Sequence, residues 1–269
     1  MNNIKQTQDD RTIQPFICST IQRVKAYAFT LAETLIVIGI IGVVAALTLP
    51  NLNHATGNKE KITKIKKMYT SLTEAFDRAE AIYGPVDEWF NSDASGVDNV
   101  TVFGDRITEF LKIKKNCGYV RGTNGTCWTD TYTLYRDGSE WSNIDRNNYY
   151  KFVDATGVAY AIPPITNVNS DYPVAIWVDI DGIGKGKNKQ GEDIFTFIVR
   201  NIDNQSLQMV PFGAEGYGDE EYLAKAFAKD GTRLTNWVIM GGTMDYLKAD
   251  LNGVCPNGTQ LSWEQFSCD

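Results

Sequence analysis

Hydrophobic positions along this chain fall into three patterns. Over residues 29–49 the sequence FTLAETLIVIGIIGVVAALTL is apolar almost without a break. At about 1.5 Å per residue it makes roughly 31 Å of helix, enough for a hydrocarbon core of about 30 Å. Over residues 51–83 the apolar residues recur at spacings of three and four: Ile62, Ile65, Met68, Tyr69, Leu72, Ala75, Phe76 and Ala79. That spacing predicts a helix with one apolar stripe, suited to packing under a sheet. Gly84-Pro85 stops it, and Pro50 is expected to bend the combined helix. Residues 100–114 put Phe103, Ile107, Phe110 and Leu111 on one face and predict a short helix despite Gly104. The stretch from Cys117 to Cys127 reads as a loop bearing glycine and asparagine. Strand-like runs follow at 149–154, 158–162, 174–180, 194–199 and 207–212, and suit an antiparallel sheet. Helical patterns at 220–229 and 234–249 precede a cysteine-bounded tail. The predicted class is α+β, with a long N-terminal helix laid on an antiparallel sheet and extra C-terminal helices.

Length and composition fit one soluble domain with appendages: 269 residues, 43% hydrophobic and 22% charged. The formal charge is −7; a chain beginning at Phe29 loses four basic and two acidic side chains and carries −9. That sign argues against nucleic acid as a partner. The five cysteines, Cys18, Cys117, Cys127, Cys255 and Cys268, include no CxxC pair, so zinc-ribbon and thioredoxin-type readings have no spacing to rest on. Without Cys18 four remain, in two close pairs, as in a disulfide-bonded exported domain. Three pairings are open, and the local one, Cys117 with Cys127 and Cys255 with Cys268, is favoured.

Glu33 interrupts the apolar run near its start, where a carboxylate facing lipid is costly unless it reaches the interface or a partner charge. A cleaved secretory signal, ending at small residues such as Ala45 and Ala46, leaves both Glu33 and the long preceding segment unexplained. A plain signal anchor fits the length and treats Glu33 as incidental. The positive-inside rule does not choose an orientation, because four basic residues precede the run while Lys59, Lys61, Lys64, Lys66 and Lys67 follow it. That lysine-rich turn is read as a solvated face, with acidic neighbours or anionic lipid as the functional alternative.

The segment Lys25-Ala26-Tyr27-Ala28-Phe29-Thr30-Leu31-Ala32-Glu33, followed by the apolar run, resembles the processing site of type IV prepilins and of the pseudopilins of type II secretion. Phe29, Thr30, Leu31 and Glu33 match residue for residue, and Pro50 stands where the family commonly has a helix-bending proline. Ala28 replaces the usual glycine before the cut, so processing is expected to be slowed. The resemblance implies cleavage between Ala28 and Phe29 and methylation of the new amine. That amine then pairs with Glu33 of a neighbouring subunit in a filament, a pairing better suited to fixing register than to adding stability. It implies residues 1–28 as a removed cytoplasmic leader, 29–50 as a transmembrane and filament-core helix, 51–84 as its amphipathic continuation, and 85–269 as an extracytoplasmic globular domain. The implied role is a non-enzymatic pilin-like subunit of a type II secretion pseudopilus, held singly in the cytoplasmic membrane. Its implied partners are a prepilin peptidase, sister pilins, an assembly platform and a secretion ATPase. A major or minor type IV pilus subunit is the alternative within the class. A membrane-tethered extracytoplasmic binding protein or enzyme is the alternative outside it.

One loop carries candidate metal chemistry. Residues 177–195, WVDIDGIGKGKNKQGEDIF, open like a calcium loop. The fifth and twelfth EF-hand positions, Ile183 and Gln190, supply no suitable ligands, and flanking helices are not expected there. A hairpin could instead gather Asp179, Asp181, Asn188 and Asp193 as hard oxygen ligands for calcium, the one cofactor the sequence suggests. The alternative is a glycine-rich turn whose aspartates bond their own backbone. The loop also resembles a pseudopilin loop in which Asp-x-Asn-Gly precedes Gly-Pro-Asn and Gly-x-Asp-x-Phe. Here Asp181 replaces the asparagine, Lys187 the proline, and Gly184 is an insertion. Residues 237–247 resemble a C-terminal stretch of the same group, with their aromatics expected in the core. His54 is the only histidine, and no P-loop, GxGxxG or GxSxG occurs, so the common catalytic templates have nothing to build on.

Overall fold

The computed structural model describes residues 31–202 and 206–269, with side chains throughout except at 45–56. The leader, Ala28 and Phe29 lie outside the described residues, as does the side chain of Pro50. The chain divides into two units, Met1–Pro50 and Asn51–Asp269.

Helix α1 is Leu31–Tyr83. In the first unit its apolar residues Leu35, Ile36, Val37, Ile38, Ile40, Ile41, Val43 and Val44 are each more than half exposed. Among the described residues no helix is long and apolar enough to cross a membrane. The span expected over 29–50 is therefore not found there, and its start and its side chains from 45 onward fall outside the description.

In the second unit the apolar stripe packs as its spacing demands. Ile65, Met68, Leu72, Ala75, Phe76 and Ala79 are buried, and Ile62 and Tyr69 pack against them. After Gly84 come a 3₁₀ turn, Val86–Trp89, and helix α2, Gly96–Glu109. Among the described residues eight strands follow: β1 Ile113–Arg121, β2 Thr133–Leu134, β3 Glu140–Ser142, β4 Asn148–Asp154, β5 Ala159–Ile162, β6 Val174–Asp179, β7 Ile194–Asn201 and β8 Leu207–Pro211. Helices α3, Glu220–Ala228, and α4, Thr235–Gly241, complete an α+β arrangement. Six strands form one antiparallel sheet in the order β1-β4-β5-β6-β7-β8, and β2 and β3 pair separately. Alternation sends Val174, Ile176 and Val178 of β6 and Phe195, Phe197 and Val199 of β7 into the core that holds the α1 stripe. Tyr69 stacks on Phe197 at 5.6 Å. The opposite face carries Trp177, Val153, Ala159 and Ala161 against Cys127, Trp128 and Ile144. Cys117 bridges Cys127 and Cys255 bridges Cys268, the local pairing.

Three boundaries differ from expectation by more than two residues. Ser95 caps α2, its hydroxyl accepting from the Asp98 N–H, so the helix starts four residues before 100. It ends at Glu109, and the stretch after it, from Ile113, becomes edge strand β1, so Cys117 lies in a strand rather than a loop. The helix expected over 234–249 stops at Gly241 because Gly242 takes a left-handed φ of 62°, and a 3₁₀ turn, Asp245–Leu247, resumes the path.

Gly104 sits mid-helix for a packing reason. A Cβ there would lie 2.6 Å from ring atoms of Tyr150, the buried β4 residue against which α2 rests. The Tyr150 hydroxyl is fixed by Asp105 at 2.6 Å and Asn116 at 2.8 Å, so the ring has little room to yield. Gly104→Ala is expected to destabilise by about 1–3 kcal/mol in urea unfolding, outweighing a propensity gain of about 1 kcal/mol. A stabilised variant would mean that α2 shifts freely on the sheet.

Candidate functional site

The β6–β7 connection holds all four sequence-selected oxygen donors, and most of their oxygens are already bonded. Asp179 ends β6; its Oδ1 accepts from the N–H groups of Asp181 at 3.1 Å and Gly182 at 2.9 Å. Asp193 is fully buried; its Oδ2 accepts from Lys187 N at 2.6 Å and Asn188 N at 2.8 Å, and its Oδ1 from Lys189 N. Asp181 Oδ2 meets the Lys61 ammonium at 3.1 Å. Asn188, at a left-handed φ of 53°, points its amide nitrogen at Tyr132 O, 2.9 Å away. The loop closes this tightly because Gly186 has φ +70° and no side chain; a Cβ would run into the carboxylates of Asp181 and Asp193.

The loop is held from outside as well. Lys61 of α1 donates to Glu192 O at 3.0 Å while pairing with Asp181, and Tyr246 donates to Gly191 O at 2.7 Å. Leu134 of β2 exchanges backbone bonds with Asn188 and Gln190 at 2.8 and 2.9 Å. Lys187 and Glu192 pair at 2.7 Å on the rim, which raises the lysine pKa.

Burial, with the charges of Asp193 and Asp181 nearby, pushes the Asp179 carboxyl up to about 7 against the pull of its two N–H donors. Burial also pushes Asp193 up, opposed by its three N–H donors and by Lys61. Donors reach both oxygens of Asp193, whereas Asp179 keeps Oδ2 unpartnered.

This set does not fit a calcium ion. Calcium takes six to eight oxygens with free lone pairs. Here Asp193 is committed to three N–H groups and Asp181 to Lys61, which leaves Asp179 Oδ2 and Asn188 Oδ1 as the unpartnered buried oxygens. Among the described residues no group of three or more histidine, cysteine, aspartate or glutamate side chains is placed to hold a metal. The aspartates tie down the loop's own backbone, as the turn reading holds.

Sequence reasoning missed two buried cations and one half-buried one. Lys61 was read with its neighbours as solvated, yet it is half-buried and crosses to the loop. The Lys151 side chain is buried in β4 and its ammonium donates to Val120 O, Asp145 O and Asn147 O at 2.7–3.0 Å; burial pushes its pKa down to about 8. Arg136, also buried, donates to the carbonyls of Phe227 and Tyr246. Lys151 and Arg136 bond backbone carbonyls, which carry no sequence signal, and Lys61 meets Asp181 across more than a hundred residues of chain. Trp237 and Tyr246 are fully buried, as expected of core aromatics. Glu33 lies in the first turn of α1. Comparison with protein-family models, curated proteins and solved structures finds no match.

Proposed function

We propose that this chain is a pilin-like structural subunit, cut before Phe29 and assembled through its N-terminal helix into a type II secretion pseudopilus. The observation that carries the reading is the run of exposed apolar side chains from Leu35 to Val44. Eight such residues, each more than half exposed, are unfavourable in water at about 25 cal/mol per Å². Lipid before assembly and neighbouring helices after it would cover them. Two disulfides support an extracytoplasmic second unit. The packing of the α1 stripe from Ile62 to Ala79 into one core with the antiparallel sheet supports the reading. Glu33 would pair with the methylated Phe29 amine of the next subunit. The partners would be a prepilin peptidase, sister subunits, and an assembly platform with its ATPase.

N-terminal sequencing and intact mass of the protein recovered from membranes test the processing step. The expected start is Phe29 with one added methyl. A start after Ala46, or a retained Met1, overturns it. Glu33→Ala is expected to leave insertion and cleavage unchanged and to abolish recovery of the subunit in sheared filaments. Unchanged recovery would identify a tethered monomer.

A further inference from the structure

A small aromatic cleft opens on the sheet face opposite the α1 stripe, with Gln190 of the β6–β7 connection in its lining. Its volume is about 220 Å³. Tyr135, Trp141 and Trp177 form one run of rings, with centroids 6.4 and 4.9 Å apart. Tyr172 and Phe212 form a second pair at 6.0 Å. Tyr172 is 46% exposed, so the cleft is reachable from solvent. Two lining residues, Gln190 and Thr196, are each only 2% exposed, yet Gln190 Oε1 and Thr196 Oγ1 have no hydrogen-bond partner. Buried polar atoms are normally paired, and leaving one unmade costs about 1–3 kcal/mol. The sole charged lining residue, Asp230, is already bonded to Arg233 at 2.8 Å and Thr232 at 2.5 Å.

We propose that this cleft binds one neutral pyranose ring, either a free hexose or the terminal residue of a glycan. Each feature narrows the ligand. The volume lies below the roughly 300–1,000 Å³ of pockets for drug-sized ligands, which limits the occupant to one ring. Aromatic faces favour a ligand with its own apolar C–H face. Unpartnered oxygens at its lining call for a ligand carrying hydroxyl donors. Asp230 is committed to Arg233, the Lys229 ammonium and Arg233 guanidinium already lie over the Tyr135 and Phe212 rings at 4.6 and 5.3 Å, and the chain's net −7 disfavours phosphorylated ligands. A pyranose has an apolar face, an edge of hydroxyls and no charge. None of the cleft's lining residues belongs to α1.

The test is a titration of the full-length protein with the methyl glycosides of glucose, galactose, mannose and N-acetylglucosamine, followed by tryptophan fluorescence and saturation-transfer NMR. At least one is expected to saturate with a Kd of about 1 mM or tighter. Tyr172→Ala should weaken that binding about tenfold by removing an exposed ring. Thr196→Val is the sharper variant. It deletes a hydroxyl that bonds nothing in the free protein, so the melting temperature should hold or rise while affinity falls. Failure of all four glycosides to bind overturns the proposal, and so does binding that survives both Tyr172→Ala and Thr196→Val.

Discussion

Asp193→Ala is expected to destabilise the second unit by about 4 kcal/mol, read as a shift in the urea midpoint at constant slope. One fully buried carboxylate accepts from three consecutive backbone N–H groups, at Lys187, Asn188 and Lys189. Each charge-assisted bond contributes about 1.5–3 kcal/mol, and their sum is not additive. Truncation strands all three donors in a loop that cannot turn them to water, because Lys61, Tyr246 and Leu134 hold it from three sides. Asp193→Asn separates charge from geometry. One amide oxygen can still accept, while the amide NH₂ opposes a backbone donor, so roughly half the loss is expected. A fall below about 1 kcal/mol for the alanine variant would mean that the turn is set by its glycines alone.

How much of this was legible depends on where each partner lies. The α1 stripe from Ile62 to Ala79 was readable because burial on a helix repeats every three or four residues, and every member packs as expected. Strands β4 to β8 were readable as short apolar runs between turn residues, because the sheet is covered on both faces and β5 is buried at every position. Strand β1 was not: IKKNCGYVR exposes its lysines at the sheet edge and bulges twice, so no alternation survives. The start of α2 carried a readable signal in Ser95 and Asp98, a cap residue and an acid three positions on, whose side chains bond at 2.9 Å. The break after Gly241 was signalled by the Gly-Gly pair. The loop was ambiguous in principle. DxDG spacing serves a cation and an Asx turn equally, and what decides between them is the oxygen count after folding. Lys61 decides part of that count from a helix far away in sequence. Ala28 and Phe29 lie outside the described residues, so the motif that gave the strongest sequence reading rests on sequence alone.

Asp179 gives the second large effect, and its sign follows from its environment. Its carboxyl is pushed up to about 7 by burial first and the Asp193 charge second, well above the ordinary 3.8. The native state therefore holds this proton more tightly than the unfolded chain. The stabilisation is fully present below about pH 4, declines as pH rises between about 4 and 7, and is lost above about 7. The full span is on the order of 4 kcal/mol. A urea series from about pH 4 to about pH 7.5 should thus show a falling midpoint, and stopping there stays below the titration of Lys151, pushed down to about 8. Asp179→Asn keeps an acceptor for the Asp181 and Gly182 N–H groups and carries no charge, so it should flatten the fall. Asp193 contributes in the same direction and would leave a residual slope. A divalent cation between Asp179 Oδ2 and Asn188 Oδ1 would reverse these outcomes, because its charge would hold Asp179 ionised. Stability would then rise with pH, chelator would lower the midpoint at pH 7.5, and Asp179→Asn would remove that sensitivity. With the carboxylates already committed to backbone and Lys61, the expected result is a midpoint that chelator leaves unchanged.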